Sequence, residues 1–510
     1  MHDLNPHENQ PAGSGAPEAA HSIVAGKEVQ GTGRTLDISN PATGGIAGTL
    51  CEAGADVVAD AVRAARQAFD RTDWPRWSVP RRQALLLAVR DKIVEHADEL
   101  ARLECLALGV PLRELKSRHM MRAAENFRFF AEFIGQARGD LYDQTPGYRS
   151  IVTREPVGVA ALIAPWNAPV ALASMKLAAA LAFGNTCVLK PSEQTPFALH
   201  LFVRLLHEAG VPDGVVNLVN GRGDVTGAAL VAQDGVDLIS FTGGTGTGRL
   251  IMAEAGRRLV PCTMELGGKS ANIVFASADR DRALDAALAS IYSNNGQQCL
   301  AGSRIFVDRA IADDFISDFV DRARNIRIGD PNDAETELGP LASAAHRDRV
   351  LRFAHTAPQD GVEILTGGGV PAGLPDEISG GYYIDPIAAL APGNANVVCQ
   401  QEIFGPFATF QIFDSYDEVV TAANATEFGL VSYVWSDHLP TVERAVRDLR
   451  SGVVWVNTTM TRELRAPFGG FKSSGVGREG GEACERFYTE PKTVTVPSAP
   501  IEPRRMGVRP

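Results

Sequence analysis

The chain has 510 residues, 45% of them hydrophobic and 22% charged; at roughly 150 residues per domain this predicts about three structural units, or two with a long shared connection. Asp and Glu number 61 against 49 Lys and Arg, a net charge of −12, with no long basic run, which excludes the electrostatic footprint of a nucleic-acid binder. The cysteines (Cys51, Cys105, Cys187, Cys262, Cys299, Cys399 and Cys484) are odd in number, scattered and never arranged as CxxC, which excludes a disulfide framework and a structural zinc site and suits a reducing compartment.

Residues 1–21 are polar and rich in Pro, Gly and Ala, the composition of a disordered tail, and lack the apolar core of a secretory signal. Apolar positions at helical spacing, such as Leu85, Leu86, Val89, Ile93 and Leu100, then predict helices over 61–69, 81–108 and 112–134. From about Arg154 the period changes. Buried strands are predicted at 157–164, 186–189, 215–219 and 238–241, alternating with helices over 172–183, after Pro196 and around Ala228. After Glu265 the alternation resumes, with strands at 271–275 and 304–307 and helices over 282–292 and 310–323. This pattern predicts the α/β class, with two doubly wound parallel-sheet domains. The richest apolar stretch, 157–183, is broken by Pro165, Asn167, Pro169 and Lys176, so no membrane partner is expected and the expected location is the cytoplasm.

Chemistry-bearing residues fall at the ends of these strands. Residues 220–227 (NGRGDVTG) and 241–248 (FTGGTGTG) both miss the GxGxxG spacing, and each alone reads equally well as a tight strand-to-helix turn. Two in consecutive units favour a dinucleotide crevice, because helix N-termini attract phosphate. In 164–169 (APWNAP) a Trp–Asn pair between two prolines offers either a fixed amide donor or a plain turn. Lys190 and Glu193 in KPSE place a cation and a carboxylate where open α/β sheets bind ligands, or else in a solvated loop. Glu265 follows an apolar strand and precedes two glycines. Cys299 ends the polar loop 294–299 (NNGQQC) and is the cysteine whose neighbours look arranged for access, whereas Cys187, inside a strand, reads as core.

Together with 402–406 (EIFGP), 424–430, 455–457 (WVN) and 467–475 (PFGGFKSSG), these motifs resemble the aldehyde dehydrogenase superfamily, in the family's order, from about residue 22 to 497. The resemblance implies an NAD-binding domain of Rossmann-like type over 22–138 and 157–265 and a catalytic domain over 266–485. It also implies oligomerisation strands over 139–156 and 486–498, a C-terminal tail over 499–510, and assembly as a homodimer or homotetramer. By the same resemblance Cys299 is the nucleophile, Glu265 the general base and Asn167 an oxyanion donor, with Lys176 nearby. The implied cofactor contacts are Ile163, Ala164, Pro165 and Trp166; Lys190, Ser192 and Glu193; Gly223 and Gly227; Phe241, Thr242, Gly243, Gly244, Thr245 and Gly248; Leu266 and Gly267; and Glu402 with Phe404. Glu193 favours NAD over NADP, since a carboxylate accepts from a free 2′-OH and repels a 2′-phosphate. Gly244 stands where the family usually has Ser.

Residues 462–470 (RELRAPFGG), 487–493 (FYTEPKT) and 122–130 (RAAENFRFF) are similar to the hydroxymuconic semialdehyde dehydrogenase branch. There, arginines matching Arg122 and Arg465 hold a substrate carboxylate, a task suited to the planar guanidinium fork; a structural ion pair or an exposed side chain is the other reading of each. Met175 stands where the family usually has Trp and is expected to reshape the pocket wall. The expected reaction is NAD-dependent oxidation of a small-molecule aldehyde, a carboxylated semialdehyde of aromatic catabolism, without a metal. The alternatives are a neutral aromatic or aliphatic aldehyde, acyl transfer to coenzyme A, against which Glu265 speaks, and a non-catalytic use of the fold, against which Cys299, Glu265 and Asn167 speak together.

Overall fold

The computed structural model describes residues 19–500 and 505–508. Two large sheets dominate it, both mainly parallel, as the alternation predicts. In the first, strands Cys262–Glu265, Leu238–Thr242, Val159–Ile163, Thr186–Lys190 and Val216–Leu218 lie side by side in parallel. Val159–Ile163, the first in sequence, sits in the middle, so the chain winds outward from it in both directions. The crevice between it and Leu238–Thr242 is therefore the topological switch point, where such sheets bind ligands. Every residue of Val159–Ile163 is buried, the signature of a strand covered on both faces. Helix Pro169–Ala182 leaves this strand with Pro at its first turn, where a missing N–H costs nothing.

The second sheet is built around Ala271–Val274, flanked by Arg304–Asp308 and Val431–Trp435. Ile387–Leu390, Phe407–Phe413 and Val453–Val456 extend it in parallel, and Glu363–Thr366 closes one edge antiparallel. A small sheet joins Asp140–Tyr142, Tyr148–Pro156 and Thr489–Pro497, the last two paired antiparallel over nine residues.

Four expectations need correction. Of the tail over 1–21, residues 1–18 lie outside the described residues, but Ala19–Ala20 is ordered as a strand against Ile46–Cys51. The helix expected over 81–108 is two, Val79–Glu95 and Ala97–Leu108, because His96 leaves helical geometry at φ −105° and ψ 17°. The one expected over 112–134 is interrupted by a π-helical turn, Leu115–Met120, which delivers His119 to the buried carboxylate of Glu104, 3.1 Å away. Gly475–Val476 leaves the expected catalytic unit and pairs antiparallel with Cys262–Glu265 of the first sheet. No described helix is long and apolar enough to cross a membrane.

Candidate active site

At the switch point a crevice of about 710 Å³ opens over the carboxyl ends of the parallel strands. Ile163, Ala164, Pro165 and Trp166 form one wall, and Phe241, Thr242, Gly243 and Gly244 form the facing one. Lys190, Ser192, Glu193, Gly223 and Gly227 line its outer end. Helix Thr245–Arg257 starts at this crevice with Gly244 as its N-cap, and a Cβ on Gly244 would meet nothing within 4 Å. Unpaired amides at a helix N-terminus with open space before them suit a phosphate. Lys190 is buried, donates to the carbonyl of Pro191 at 2.7 Å and lies 3.8 Å from Glu193. Burial pulls its pKa down to about 8.

Gly248 packs on Leu266, 2.6 Å from where its Cβ would sit, and neither it nor Thr245 lines the crevice. Asp224, Val231, Thr247, Leu250 and Ile251 do line it. Asp224, between Gly223 and Gly227, and Thr247, inside 241–248, carried a sequence signal; the other three did not.

The crevice shares Pro165, Trp166, Thr242, Gly243 and Gly244 with an inner cavity of about 170 Å³. Asn167, Leu172, Glu265, Leu266, Gly267, Cys299, Glu402 and Phe404 complete that cavity. Cys299 reaches it on a loop after helix Arg280–Tyr292, in which Asn294 and Asn295 both adopt left-handed geometry at φ 54° and 55°. Such residues cost roughly 1–3 kcal/mol each, and side-chain anchors offset the cost here. Asn295 donates to the carbonyls of Gly109 and Pro340, and Asn294 to those of Asn167 and Gln297. Asn167 Nδ2 also donates to Gln297, at 2.9 Å, which leaves its second N–H uncommitted. Gly296, at φ 70°, admits no side chain, because a Cβ would lie 2.2 Å from the Gly405 carbonyl carbon.

Burial pushes the Cys299 thiol up to about 12, and the carboxylates of Glu402 and Glu265 add to the shift. Glu265 is held well above the usual carboxylate range by burial and then by Glu479. Glu479 itself is kept below its ordinary value: burial opposes its ionisation, but the charges of Lys176 and Arg462 outweigh that. Lys176 is buried, 2.8 Å from Glu479 and 2.9 Å from the Ser240 hydroxyl. It therefore stands behind Glu265 rather than on the cavity wall. Glu479 was missed in the sequence; only its place after 467–475 pointed to it. Glu402 accepts from the Gly268 N–H at 2.8 Å. Phe404, at φ 62°, is held against Trp166 with ring centroids 5.3 Å apart, and its carbonyl takes His346 Nε2 at 2.7 Å.

An open cleft of about 640 Å³ lies between the helix carrying Arg122 and the loop after Val453–Val456. Arg118, Arg122, Arg128, Arg462 and Arg465 line it, opposed by Glu125, Glu132 and Glu463. Arg122 is mostly enclosed, donates to Asn126 at 3.0 Å, and burial lowers its pKa to about 9. Arg465 does not face inward. Its side chain is 75% exposed and both its Nε and Nη2 are bound to Glu463 at 2.9 Å. Arg462, three residues earlier, turns in over the Phe468 ring at 4.2 Å, with Nε and Nη2 buried and without an acceptor. Burial raises both Cys299 and Glu265, and the Arg462 charge opposes that rise in each. Met175 is buried at 2% exposure and lines neither the inner cavity nor this cleft.

The model of the aldehyde dehydrogenase family matches residues 29–494. The chain is 39% identical to a 2-hydroxymuconic semialdehyde dehydrogenase of Pseudomonas sp. (strain CF600), covering 94% of this chain and 99% of that one. It is 40% identical to the 5-carboxymethyl-2-hydroxymuconate semialdehyde dehydrogenase of Escherichia coli, over 90% of this chain and 97% of that one. The NAD+ complex of an aldehyde dehydrogenase from Bacillus cereus superposes with a TM-score of 0.91 at 37% identity, over 94% of this chain and 97% of that one.

Proposed function

The chain belongs to the aldehyde dehydrogenase family, and on that premise we propose that it oxidises a carboxylated semialdehyde to the acid, with NAD as oxidant and water as acyl acceptor. The observation that carries this reading is the meeting of Cys299, Glu265 and Asn167 in one small cavity that opens into the dinucleotide-sized crevice. The crevice suits NAD: a helix N-terminus and glycine turns for the pyrophosphate, apolar walls at Val231, Leu250 and Ile251 for a flat base, and Glu193 for a ribose hydroxyl. Glu193 would also repel a 2′-phosphate, and Lys190, the cation beside it in the crevice, lies 3.8 Å from that carboxylate, which supports NAD over NADP. Bound there, NAD would supply the two-electron acceptor, with its nicotinamide end toward Glu402 and Phe404.

The chain's own groups do the rest. Burial keeps the Cys299 thiol neutral, so its proton passes to Glu265 in the same cavity, and on to solvent, as the sulfur adds to the aldehyde carbon. The uncommitted Asn167 N–H and the Cys299 backbone N–H donate to the alkoxide so formed; losing one such donor typically costs roughly 3–4 kcal/mol. Oxidation leaves a thioester on Cys299. Glu265 then takes a proton from water, which attacks the thioester and releases the acid. Its raised pKa makes it a stronger base once ionised. A water-activating carboxylate at this place supports hydrolysis over transfer to coenzyme A.

Arg462 and Arg122 support a carboxylate on the substrate. Arg462 offers two buried donors without an acceptor, an arrangement that a ligand carboxylate would satisfy. Both semialdehyde-oxidising relatives are named for substrates of this kind. The exposed strand Thr489–Pro497 and its hairpin partner support pairing between subunits in a homodimer or homotetramer, and a location in the cytoplasm accords with free thiols. The test is dinucleotide reduction across muconic-type semialdehydes, benzaldehydes and aliphatic aldehydes, with NAD and with NADP, and with product identified as free acid. The highest kcat/KM is expected for the carboxylated semialdehydes with NAD; a preference for neutral aldehydes would remove the carboxylate from the proposal.

A further inference from the structure

Glu114 ends the short turn Leu112–Glu114, with its side chain only 12% exposed. Both of its oxygens accept the backbone N–H of Asn294, at 3.1 and 3.0 Å. One of them also pairs with Arg118, whose guanidinium lines the arginine-rich cleft. Asn294 is the first of the two left-handed residues on the way to Cys299, so its amide points where the strained turn directs it and not into a regular helix. From Asn294 the connections run straight to the chemistry. Its Nδ2 holds the Asn167 carbonyl and the Gln297 carbonyl, both at 2.9 Å, and Gln297 in turn receives Asn167 Nδ2.

A carboxylate on a backbone N–H is a charge-assisted bond, stronger than a neutral one. Here it anchors the head of a network whose other end carries the oxyanion donor and the thiol loop. We propose that Glu114 is a positioning residue for the nucleophile loop: its carboxylate, steadied by Arg118 from the cleft side, fixes the Asn294 turn and through it the relative placement of Asn167 and Cys299. The proposal rests on the reading of Cys299 as nucleophile, but not on which aldehyde is oxidised.

Three substitutions separate positioning from plain stability. Glu114→Ala removes the acceptor; Glu114→Gln keeps an oxygen that can accept from Asn294; Glu114→Asp keeps the charge but withdraws it by one methylene. With a neutral aldehyde such as propanal, Glu114→Ala is expected to lower kcat about ten- to a hundredfold with KM changed less than about threefold, the scale of effect that small misplacement of reacting groups produces. Labelling of Cys299 by iodoacetamide, followed by mass spectrometry, is expected to change at least about fivefold in the same variant, since access and thiolate fraction set that rate. Glu114→Gln should restore most of both quantities and Glu114→Asp should resemble Glu114→Ala. Labelling needs no turnover, so an inactive parent enzyme would end the aldehyde reading while leaving this one open to measurement. If Glu114→Ala does not fold, the contrast between Glu114→Gln and Glu114→Asp decides. Wild-type kcat and labelling in the variants, lowered thermal stability with labelling unchanged, or equal impairment of the Gln and Asp variants would each overturn the proposal.

Discussion

The dinucleotide-sized crevice and the arginine-lined cleft hold their shapes by different means. The crevice is made from strand ends, glycine turns and a helix N-terminus, so its recognition groups are fixed by the hydrogen bonding of the sheet itself. The cleft is made from long guanidinium side chains on one helix and one loop, and their partners decide which of them is free. Glu463 occupies Arg465 on the outside, while Arg462 turns inward with open donors. A site built on backbone is rigid because its scaffold is; a site built on side chains depends on competition among local ion pairs.

Glu265 lies in the inner cavity that adjoins the crevice, and its replacement should have the largest effect. Glu265→Gln is expected to lower steady-state turnover by about 10²–10⁴-fold, the usual contribution of a general base, while an initial burst of reduced cofactor remains. Rapid-mixing measurements check both. The same group is expected to set the acid limb of the pH–rate profile. Because burial and Glu479 raise its pKa, the base form appears only as pH rises through that raised value, so activity falls on the acid side well above the ordinary carboxylate range. Glu479→Gln removes the second cause and should move that limb to lower pH; a limb that stays in place would assign it to another group.

The cleft comes next. Arg462→Met should raise KM for carboxylated aldehydes about ten- to a hundredfold, as expected from losing a charge-assisted hydrogen bond worth roughly 1.5–3 kcal/mol, with KM for neutral aldehydes and for the cofactor nearly unchanged. Arg465→Met should stay within about twofold for both classes, since exposed ion pairs contribute little. If the two variants exchange these effects, the inward and outward assignment is wrong. The crevice is expected to respond more mildly. Glu193→Ser should raise the NADP-to-NAD ratio of kcat/KM by about tenfold and leave aldehyde KM alone; a shift in aldehyde KM would show that the two regions are coupled.

Much of this architecture was legible along the chain. The parallel strands announced themselves as short apolar runs such as 159–163, because a strand covered on both faces carries no polar alternation. The turns that follow them drew attention to Trp166, Asn167, Gly243 and Gly244, since proline and glycine mark places where the backbone must turn sharply. Other features were not legible. His96 and the π-turn at Leu115–Met120 break helical patterns that remain continuous in hydrophobicity. The latter brings His119 to Glu104 of a different helix. Gly248 was expected at the cofactor because it belongs to a glycine-rich motif; it packs against Leu266 and does not line the crevice.

By itself the sequence determined the α/β class, the strand-end motifs and the residue types able to perform nucleophilic attack, because these depend on local periodicity and on side-chain chemistry. Only the tertiary structure decided that Lys176 pairs with Glu479 behind Glu265, that Arg462 and not Arg465 turns inward, and that Glu114 grips the Asn294 amide 180 residues further along the chain. Those are matters of which charge lies nearest to which in a buried space. Coulomb energy and desolvation depend on distance through space, a quantity that separation along the chain does not contain.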